Sequence, residues 1–485
     1  MTGSGRFVPG LGVLAGVVVS WAGFHWDIAL HGDLGRERFL TTPHLIVVAG
    51  MVLQGCAAVW GLAAAADGSG MAAMFRRRPG LALALAAPLV NGVVLWFDNW
   101  WHELFGLDVT LWSPPHLLLV LGFVDALLGG IIDLAQQRFP DVGLALLSGS
   151  LFGILTIVNF EFDIGYPHFA TRWVAPVMAF VLLSILALSA TLSRVRWPGL
   201  LLLPGTLVLR VAGIGVNTVV HRSLPTLPIG LLGGAVAFDL LRRRRPVGSP
   251  PDVPTIVATW LVAFVGQYFW LQAVGKTWWQ PGDVVVCLLA GTAAALGGAA
   301  LGSYLGRRIR ATADGEPVER PSPVRFAALV LVTSGVLYLA GLPLLTLSGV
   351  APRTAQLAVT GREAVLDVEG ATSDDWVSVF SRTDERDGYR WASALDWRDG
   401  RFTGEVPDPT KVPFLAFWYV DGARAYVAVG YGTESTDVPL VPDYFSPAQP
   451  STSSKVFASL LPLIVLFAGI TAPLRYALHA RPTGD

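Results

Sequence analysis

Two stretches of the sequence place histidines and an aspartate at spacings that suit metal binding. In the first, Asp27 is followed four residues later by His31, and twelve residues separate His31 from His44. On a helix, residues at i and i+4 lie one turn apart on one face, so both can reach one ion. Pro43 fits the first turn of a second helix, which presents His44 from across a hairpin. Two imidazoles and a carboxylate suit copper, non-haem iron or zinc and leave coordination positions open.

The second stretch repeats the first 71 residues later. Asp98 precedes His102 by four residues, and thirteen residues separate His102 from His116, which again follows a proline. Two triplets of the same composition at nearly the same spacing predict two metal sites on duplicated hairpins. The alternative without a metal is that these histidines and carboxylates pair with each other across helix ends.

Weaker copies of the pattern follow further along the chain. Asn159 and Asp163 precede His168, and Asn217 precedes His221 by four residues. Neither segment keeps the full triplet, so a degenerate, structural role is expected, although the Asp163 segment leaves a third site open.

Two other polar residues lie inside apolar segments. His25 is two positions before Asp27, so on a helix it faces elsewhere, and an interface role is expected for it. Arg210 lies in mid-span and must have a partner or face water. Asp239 is the nearest carboxylate on the following span.

The composition indicates that the elements carrying these residues cross a membrane. Of 485 residues, 53% are apolar and 14% charged. Apolar runs of about 20 residues, the length that spans a bilayer, recur about twelve times. The expected fold is an all-α polytopic membrane protein of repeated helical hairpins, with the lipid bilayer as its partner. Its candidate spans are 9–30, 44–66, 81–102, 115–136, 142–162, 169–192, 198–220, 226–241, 254–274, 283–305, 325–348 and 455–476.

The arginines predict the orientation of these spans. They cluster on alternate connections, which the positive-inside rule places in the cytoplasm: Arg76-Arg77-Arg78, Arg194 with Arg196, Arg242 through Arg245, and Arg307-Arg308 with Arg310. Both termini are then cytoplasmic, and seven of the eight histidines lie at the outer face of the cell membrane. The net charge of -1 excludes a basic surface for nucleic acid.

Residues 350–452 differ from the rest of the chain in being less apolar and rich in short alternating runs. Such runs predict strands, and the pairs Asp399-Gly400 and Asp421-Gly422 predict hairpins. We expect an extracytoplasmic β-sandwich-like domain between a membrane domain (1–349, with metal-site hairpins at 9–66 and 81–136) and a terminal span with a cytoplasmic tail (453–485). The segment contains no His, Cys or Met, which excludes a blue-copper site in it.

At the six triplet residues the chain resembles the C subunit of the copper membrane monooxygenases, the family of particulate methane and ammonia monooxygenase. Asp27, His31 and His44 match one copper motif of that family in type and spacing. Asp98, His102 and His116 match a second motif, except that the family has Asn where this chain has Asp98. The resemblance covers roughly residues 9–136.

The resemblance implies copper as the cofactor and an oxygen-activating monooxygenase, or a subunit of one, that hydroxylates a small apolar substrate or ammonia. It implies dioxygen as co-substrate, an external electron donor, and other membrane subunits or a homo-oligomer. The first triplet is the expected catalytic centre. A non-catalytic copper or zinc handling or transport protein is the alternative, and would need polar residues continuing through the membrane.

Overall fold

The computed structural model describes residues 8–34, 41–68, 70–105, 114–137, 141–159, 172, 174–220, 224–274, 279, 281–314, 353–382, 390–408, 410–412, 414–420, 425–430, 436–442 and 453–479. These residues form twelve α-helices and eight strands, and the strands lie between the eleventh and the twelfth helix. The helices are α1 (Pro9–Leu34), α2 (Thr42–Ala64), α3 (Met71–Arg77), α4 (Pro79–Phe105), α5 (Pro114–Gln136), α6 (Asp141–Leu155), α7 (Val174–Leu192), α8 (Leu202–Val219), α9 (Ile229–Leu241), α10 (Val253–Ala273), α11 (Val284–Asp314) and α12 (Ser453–His479).

Eight of the described helices are long and apolar enough to cross a membrane, namely α1, α2, α4, α5, α7, α8, α10 and α11. Helices α6, α9 and part of α12 are apolar but shorter. Eleven of the twelve predicted spans fall on helices, and the twelfth, 325–348, lies outside the described residues. The helices therefore fit a multi-pass membrane protein, while the number twelve stays a prediction.

Consecutive helices pair in the first part of the chain. Helix α1 packs on α2 and α4 packs on α5, and α1 also contacts α5 while α2 contacts α4. The two predicted metal-site hairpins therefore lie side by side in one four-helix arrangement.

A hydrogen bond at the same position in each hairpin shows that they are structural repeats. Ser20 Oγ donates to the Val47 carbonyl at 2.9 Å, and Asn91 Nδ2 donates to the Leu119 carbonyl at 3.2 Å. The two donors are 71 positions apart, as are the two aspartates of the predicted sites. The two acceptors are 72 positions apart, as are the two histidines that follow a proline.

Glycines let the helices of each hairpin approach closely. Gly50 lies against Ser20 and Gly122 lies against Asn91, and in both places a Cβ atom would overlap the neighbouring residue. These two glycines are also 72 positions apart. Small residues at such crossings are typical of helix pairs in membranes.

The later helices pair differently. Helix α6 packs mainly against α8, where Gly149 and Gly205 meet, and α7 packs along α11, where Gly298 and Gly302 lie against α7. Helix α9 pairs with α10. The hairpin arrangement of the two complete repeats is therefore not continued by α6, α7 and α8.

The β-rich segment is a barrel rather than the expected sandwich. Its strands are β1 (Arg353–Thr360), β2 (Glu363–Val368), β3 (Trp376–Arg382), β4 (Arg390–Arg398), β5 (Arg401–Glu405), β6 (Phe414–Val420), β7 (Ala425–Gly430) and β8 (Thr436–Pro442). They form a closed antiparallel barrel in the order β1-β2-β5-β4-β3-β6-β7-β8. The barrel closes because β1 pairs with β8, with Arg353 opposite Leu440, and closure removes the free edges that a sandwich keeps.

The barrel interior and one turn follow the sequence pattern. Alternate residues of β6, Leu415, Phe417 and Tyr419, lie in the barrel core. Asp399 and Gly400 join β4 to β5 with φ angles of 50° and 83°, as a tight hairpin turn requires, which confirms that predicted hairpin. The predicted turn at Asp421-Gly422 lies outside the described residues.

Candidate metal centres

The first predicted site brings two of its three residues together across the α1/α2 hairpin. Asp27 is buried near the end of α1, and the Nε2 atom of His44 lies 3.2 Å from its Oδ1 atom. Helix α2 begins at Thr42 with Pro43 in its first turn, so His44 projects from a helix start. The predicted approach of His44 from across the hairpin is confirmed.

The second site has the same geometry in the α4/α5 hairpin. The Nε2 atom of His116 lies 3.3 Å from Oδ1 of Asp98, and both side chains are buried. His116 again lies in the first turn of its helix, α5, which begins at Pro114. The Nε2–Oδ1 distances of the two Asp–His pairs therefore agree to within 0.1 Å.

The third residue of each triplet lies in the helix that carries the aspartate. His31 is in α1 and His102 is in α4, each four residues after its aspartate, but their side chains lie outside the described part of the structure. Among the described residues, no group of three His, Cys, Asp or Glu side chains forms a metal-binding cluster. The structure therefore shows two residues of each predicted site in contact and the helical position of the third.

The Asp–His separations fit a shared metal ion. Nitrogen and oxygen ligands about 2.0–2.2 Å from one tetrahedral ion lie roughly 3.3–3.6 Å from each other. The observed distances are 3.2 and 3.3 Å. An Asp–His ion pair has a similar separation, so the distance is compatible with both interpretations.

A phenylalanine connects the first hairpin with the second site. The ring of Phe24, on α1, packs edge-on against the imidazole of His116 with 6.4 Å between ring centroids, and also packs against Phe123 at 6.3 Å. Phe24 is buried. The sequence does not reveal this residue, because its partners are 92 and 99 positions away and no local pattern signals such a contact.

More aromatic residues surround the second site. Phe97, next to Asp98, packs against Trp100 and Trp101 with centroid distances of 5.8 and 6.0 Å. Trp101 is buried. Asp98 is itself 4% exposed, and an uncompensated charge at a buried position is costly.

His25 lies at the interface between α1 and α8, as expected. It is buried and packs edge-on against Trp21 with 5.2 Å between ring centroids. Gly213 of α8 leaves the space for the imidazole, since a Cβ there would lie 2.7 Å from its Cγ atom.

Arg210, whose partner the sequence leaves open, contacts Thr156 in the short 3-10 turn that follows α6. Its guanidinium donates to Oγ1 of Thr156 at 3.2 Å and to the Thr156 carbonyl at 3.5 Å. Asp239 instead accepts hydrogen bonds from the backbone N–H groups of Gly199 and Leu200 at 2.9 and 2.8 Å. Arg210 reaches Thr156 because α8 packs on α6.

Only parts of the weaker copies lie in the described residues. Asn217 is fully buried on α8, and Asn159 ends the short 3-10 turn that follows α6. Asp163, His168 and His221 lie outside the described residues, so a third site stays a prediction.

The arginine-rich connections lie at the opposite end of the bundle from the two sites. The guanidinium of Arg78 donates from Nε to Oδ1 of Asp133 at 2.8 Å. Asp133 lies 17 residues beyond His116 on α5, a rise of about 25 Å along a helix. The Arg194 backbone N–H in turn binds Asp141 at the start of α6. The bundle therefore has one end with arginines and another with the Asp–His pairs.

These features define a class, a multi-pass helical membrane protein with a β-barrel domain and two repeated Asp–His pairs. No family model, curated protein or solved structure matches the chain. The resemblance to the copper membrane monooxygenases therefore rests on the six triplet residues alone.

Proposed function

We propose that this chain is a membrane metalloprotein that binds copper at two neighbouring sites, and that it activates dioxygen to hydroxylate a small apolar substrate or ammonia. The observation that carries the proposal is the repeated Asp–His pair, at 3.2 and 3.3 Å, in two hairpins that also repeat their hydrogen bonds and glycine crossings. The proposed ligands are Asp27, His31 and His44 for the first site and Asp98, His102 and His116 for the second.

Burial of the two aspartates fits a bound cation at each site. Asp27 and Asp98 are each 4% exposed, and a buried carboxylate needs compensation by a positive charge. A divalent cation supplies that charge and orders two further imidazoles. The same ligand set also suits zinc and non-haem iron, and the family resemblance is what favours copper.

The chain's own residues would hold the ion and keep water away from it. Three ligands per site leave coordination positions open, and Phe24, Phe97 and Trp101 supply an apolar surround. Bound copper would supply one-electron chemistry with dioxygen, with electrons from an external donor. The first site, which matches the family motif without substitution, is the proposed catalytic centre.

The alternative, a copper or zinc transporter or store, is less well supported by the buried polar residues. Gln54 donates to Ser20, which donates to Val47, and Asn91 donates to Leu119. These side chains join helices to each other. Within the described residues they form separate contacts and no continuous polar path between the two ends of the bundle.

Elemental quantitation of the purified protein tests metal binding. We expect two equivalents of metal in the wild type and one in each of the double variants His31→Ala/His44→Ala and His102→Ala/His116→Ala. His479→Ala is a matched control, because His479 ends α12 and belongs to neither triplet. Absence of metal from the wild type, or equal metal in all variants, would show that the pairs are structural.

Turnover separates an enzyme from a metal handler. Protein in lipid nanodiscs, loaded with copper and given a reductant, should consume dioxygen and form hydroxylated product from short alkanes, alkenes or ammonia. The His31→Ala/His44→Ala variant should lose this activity. Full copper loading with no product from any of these substrates would instead support storage or transport.

A further inference from the structure

The outer surface of the β-barrel is polar on one side and apolar on the other. On β1, the residues that point out of the barrel include Thr354, Gln356 and Thr360, and all three are exposed. Strand β3 lies four places from β1 in the closed order of eight strands, so it is on the opposite side of the barrel. There the outward residues include Phe380, and on the adjacent strand β6 they include Trp418.

Phe380 and Trp418 are fully buried although they point away from the barrel core. Their neighbours in sequence, Val379 and Phe417, lie in that core, and successive residues of a strand face opposite sides. Both outward rings are 0% exposed, as is nearly true of Ala416 opposite Phe380. The two rings pack on each other with 5.7 Å between centroids. Because a ring pair on an open surface keeps part of its area in water, another part of the chain must cover this side of the barrel.

The barrel lies at the pair end, the end of the bundle that carries both Asp–His pairs. Oγ1 of Thr312 donates to the Leu478 carbonyl at 3.3 Å, so the last turns of α11 and α12 lie together. Arg310, two residues before Thr312, lines one cleft with Arg194, which places these last turns at the arginine-rich end. Helix α12 has 27 residues, a length of about 40 Å, so it begins near the pair end. Residues 443–452 connect that beginning to β8.

Helix α1 makes the contact with the barrel at this end. Gly10, at the beginning of α1, lies against Leu134 of α5 at the arginine-rich end, so α1 ends at the pair end. Strand β4, the neighbour of β3, contacts α1. Near the end of α1, Asp27, Ile28 and Ala29 are only 4%, 9% and 0% exposed. Three consecutive residues span about 200° of a helix circumference, so this part of α1 is covered from more than one side.

We propose that the β-barrel is a cap on the pair end of the membrane domain. Its apolar side, with Phe380 and Trp418, docks on the membrane domain of the same chain, and β4 lies against the end of α1 that carries Asp27. In this position the barrel shields the first Asp–His pair from the aqueous phase. Docking needs no bound metal, so it can be measured on metal-free protein, and a failed cap would leave the proposed metal sites intact.

Photocrosslinking of the full-length protein tests the docking. With Trp418 replaced by the photoreactive p-benzoylphenylalanine, irradiation should link the barrel to the membrane domain, and mass spectrometry of the digest identifies the linked peptides. The same probe in place of Gln356, on the polar side, is the matched control and should give no such link. Links from position 418 that stay within the barrel, or that reach only a second copy of the chain, would overturn the proposal.

Thiol accessibility tests whether the barrel shields the first pair. In a Cys56→Ser background, His44→Cys places a thiol beside Asp27, while the native Cys287 is buried. A charged maleimide in the aqueous phase should label the new thiol slowly while the barrel is docked. Cys287 should stay unlabelled throughout, which shows that the membrane domain is intact.

Removal of the apolar docking surface should open this access. Phe380→Ala/Trp418→Ala removes two buried aromatic rings, and labelling of the thiol at position 44 should become roughly tenfold faster or more. Gln356→Ala, on the polar side, is the matched control and should leave the rate unchanged. An unfolded barrel is an absent cap and should expose the thiol as well. An unchanged rate in the double variant therefore contradicts the cap, whether or not its barrel is folded.

Discussion

The two Asp–His pairs have nearly the same Asp–His distance, but only the first matches the family's copper motif in every residue. In the first pair, Asp27 matches the residue of the copper motif, whereas Asp98 stands where that motif has Asn. Both aspartates are equally buried. A carboxylate in an apolar site adds a full negative charge, and hard anionic ligands favour the more oxidised, harder ion.

Asp98→Asn should therefore change the redox behaviour of the second site alone. The change keeps the size of the side chain and removes its charge, so the reduction potential of copper at this site should rise. Redox titration followed by electron paramagnetic resonance measures this.

Asp437→Asn, on an exposed position of β8, should leave both potentials unchanged. If Asp98→Asn altered only the signal of the first site, the assignment of Asp98 to the second would be wrong.

Spacing alone identified the residues of both pairs but not their neighbours. The i, i+4 rule and the proline before each second histidine are local signals, and they correctly placed His44 and His116 opposite their aspartates. Phe24 and the Arg210–Thr156 contact depend on which distant helices pack together. Comparison of the two hairpins at the 71-residue offset would have found Ser20 and Asn91, since the offset itself is visible in the sequence.

At the scale of helices, the glycine crossings set the distance between the partners of each hairpin. Gly50 lies against the backbone of Ser20, so nothing flexible can move aside for a new methyl group. The separation of α1 and α2 at this crossing is transmitted along both helices to Asp27 and His44.

Gly50→Ala should therefore lower both stability and metal retention. Overpacking of this kind costs about 1–3 kcal/mol, and the wider crossing should move His44 away from Asp27. Thermal unfolding in detergent and metal quantitation on the same sample measure the two effects.

Gly55→Ala is the control on the same helix, because the nearest atom to its new methyl group, in Pro88, lies 4.0 Å away. We expect it to leave metal content unchanged. Equal losses in the two variants would mean that the crossing does not position the site.

In the β-barrel, strands and tight turns can be predicted from the sequence, whereas the closure of the barrel cannot. The alternating runs in residues 350–452 predict strands, and Glu363–Val368 and Phe414–Val420 in this segment form β2 and β6. The Asp399-Gly400 turn follows from the two positive φ angles that it needs. The closure of the barrel could not be predicted in this way. It depends on pairing between β1 and β8, the first and last strands of the segment, for which no local pattern exists.

At the scale of the whole molecule, the placement of the arginines and the Asp–His pairs at opposite ends of the bundle predicts an orientation in the membrane. Arginine-rich connections lie at one end and the Asp–His pairs at the other. By the positive-inside rule the first end faces the cytoplasm. This orientation predicts that the sites and the barrel face outward, that both termini are cytoplasmic, and that the protein lies in the cell membrane.

Cysteine accessibility tests this orientation. In a Cys56→Ser background, which removes the exposed native thiol and leaves the buried Cys287, Lys411→Cys in the barrel should react with a membrane-impermeant maleimide on intact cells. Arg243→Cys should react only after lysis. Both positions are exposed, so a reversed pattern would invert the topology and place the metal sites in the cytoplasm.

The global arrangement was only partly predictable. Hydropathy located the membrane-spanning helices because a chain that crosses lipid must carry apolar side chains and must satisfy its backbone hydrogen bonds internally, as a helix does. It could not show that α6 packs on α8 or that α7 packs on α11, since these pairings depend on matched glycines at Gly149 and Gly205 and along α11. The repeated hairpins predicted from the sequence are therefore seen in α1/α2 and α4/α5, and α6, α7 and α8 do not continue this arrangement.

X-ray absorption spectroscopy of the copper-loaded protein tests the central claim most directly, because it reports the atoms bound to the metal. The proposed sites predict nitrogen and oxygen ligands only, with the outer-shell scattering of about two imidazoles per copper. Both cysteines lie outside the proposed sites, on α2 and α11. A spectrum with sulfur ligands, or with no imidazole, would contradict the assignment of the two Asp/His/His triplets as metal centres.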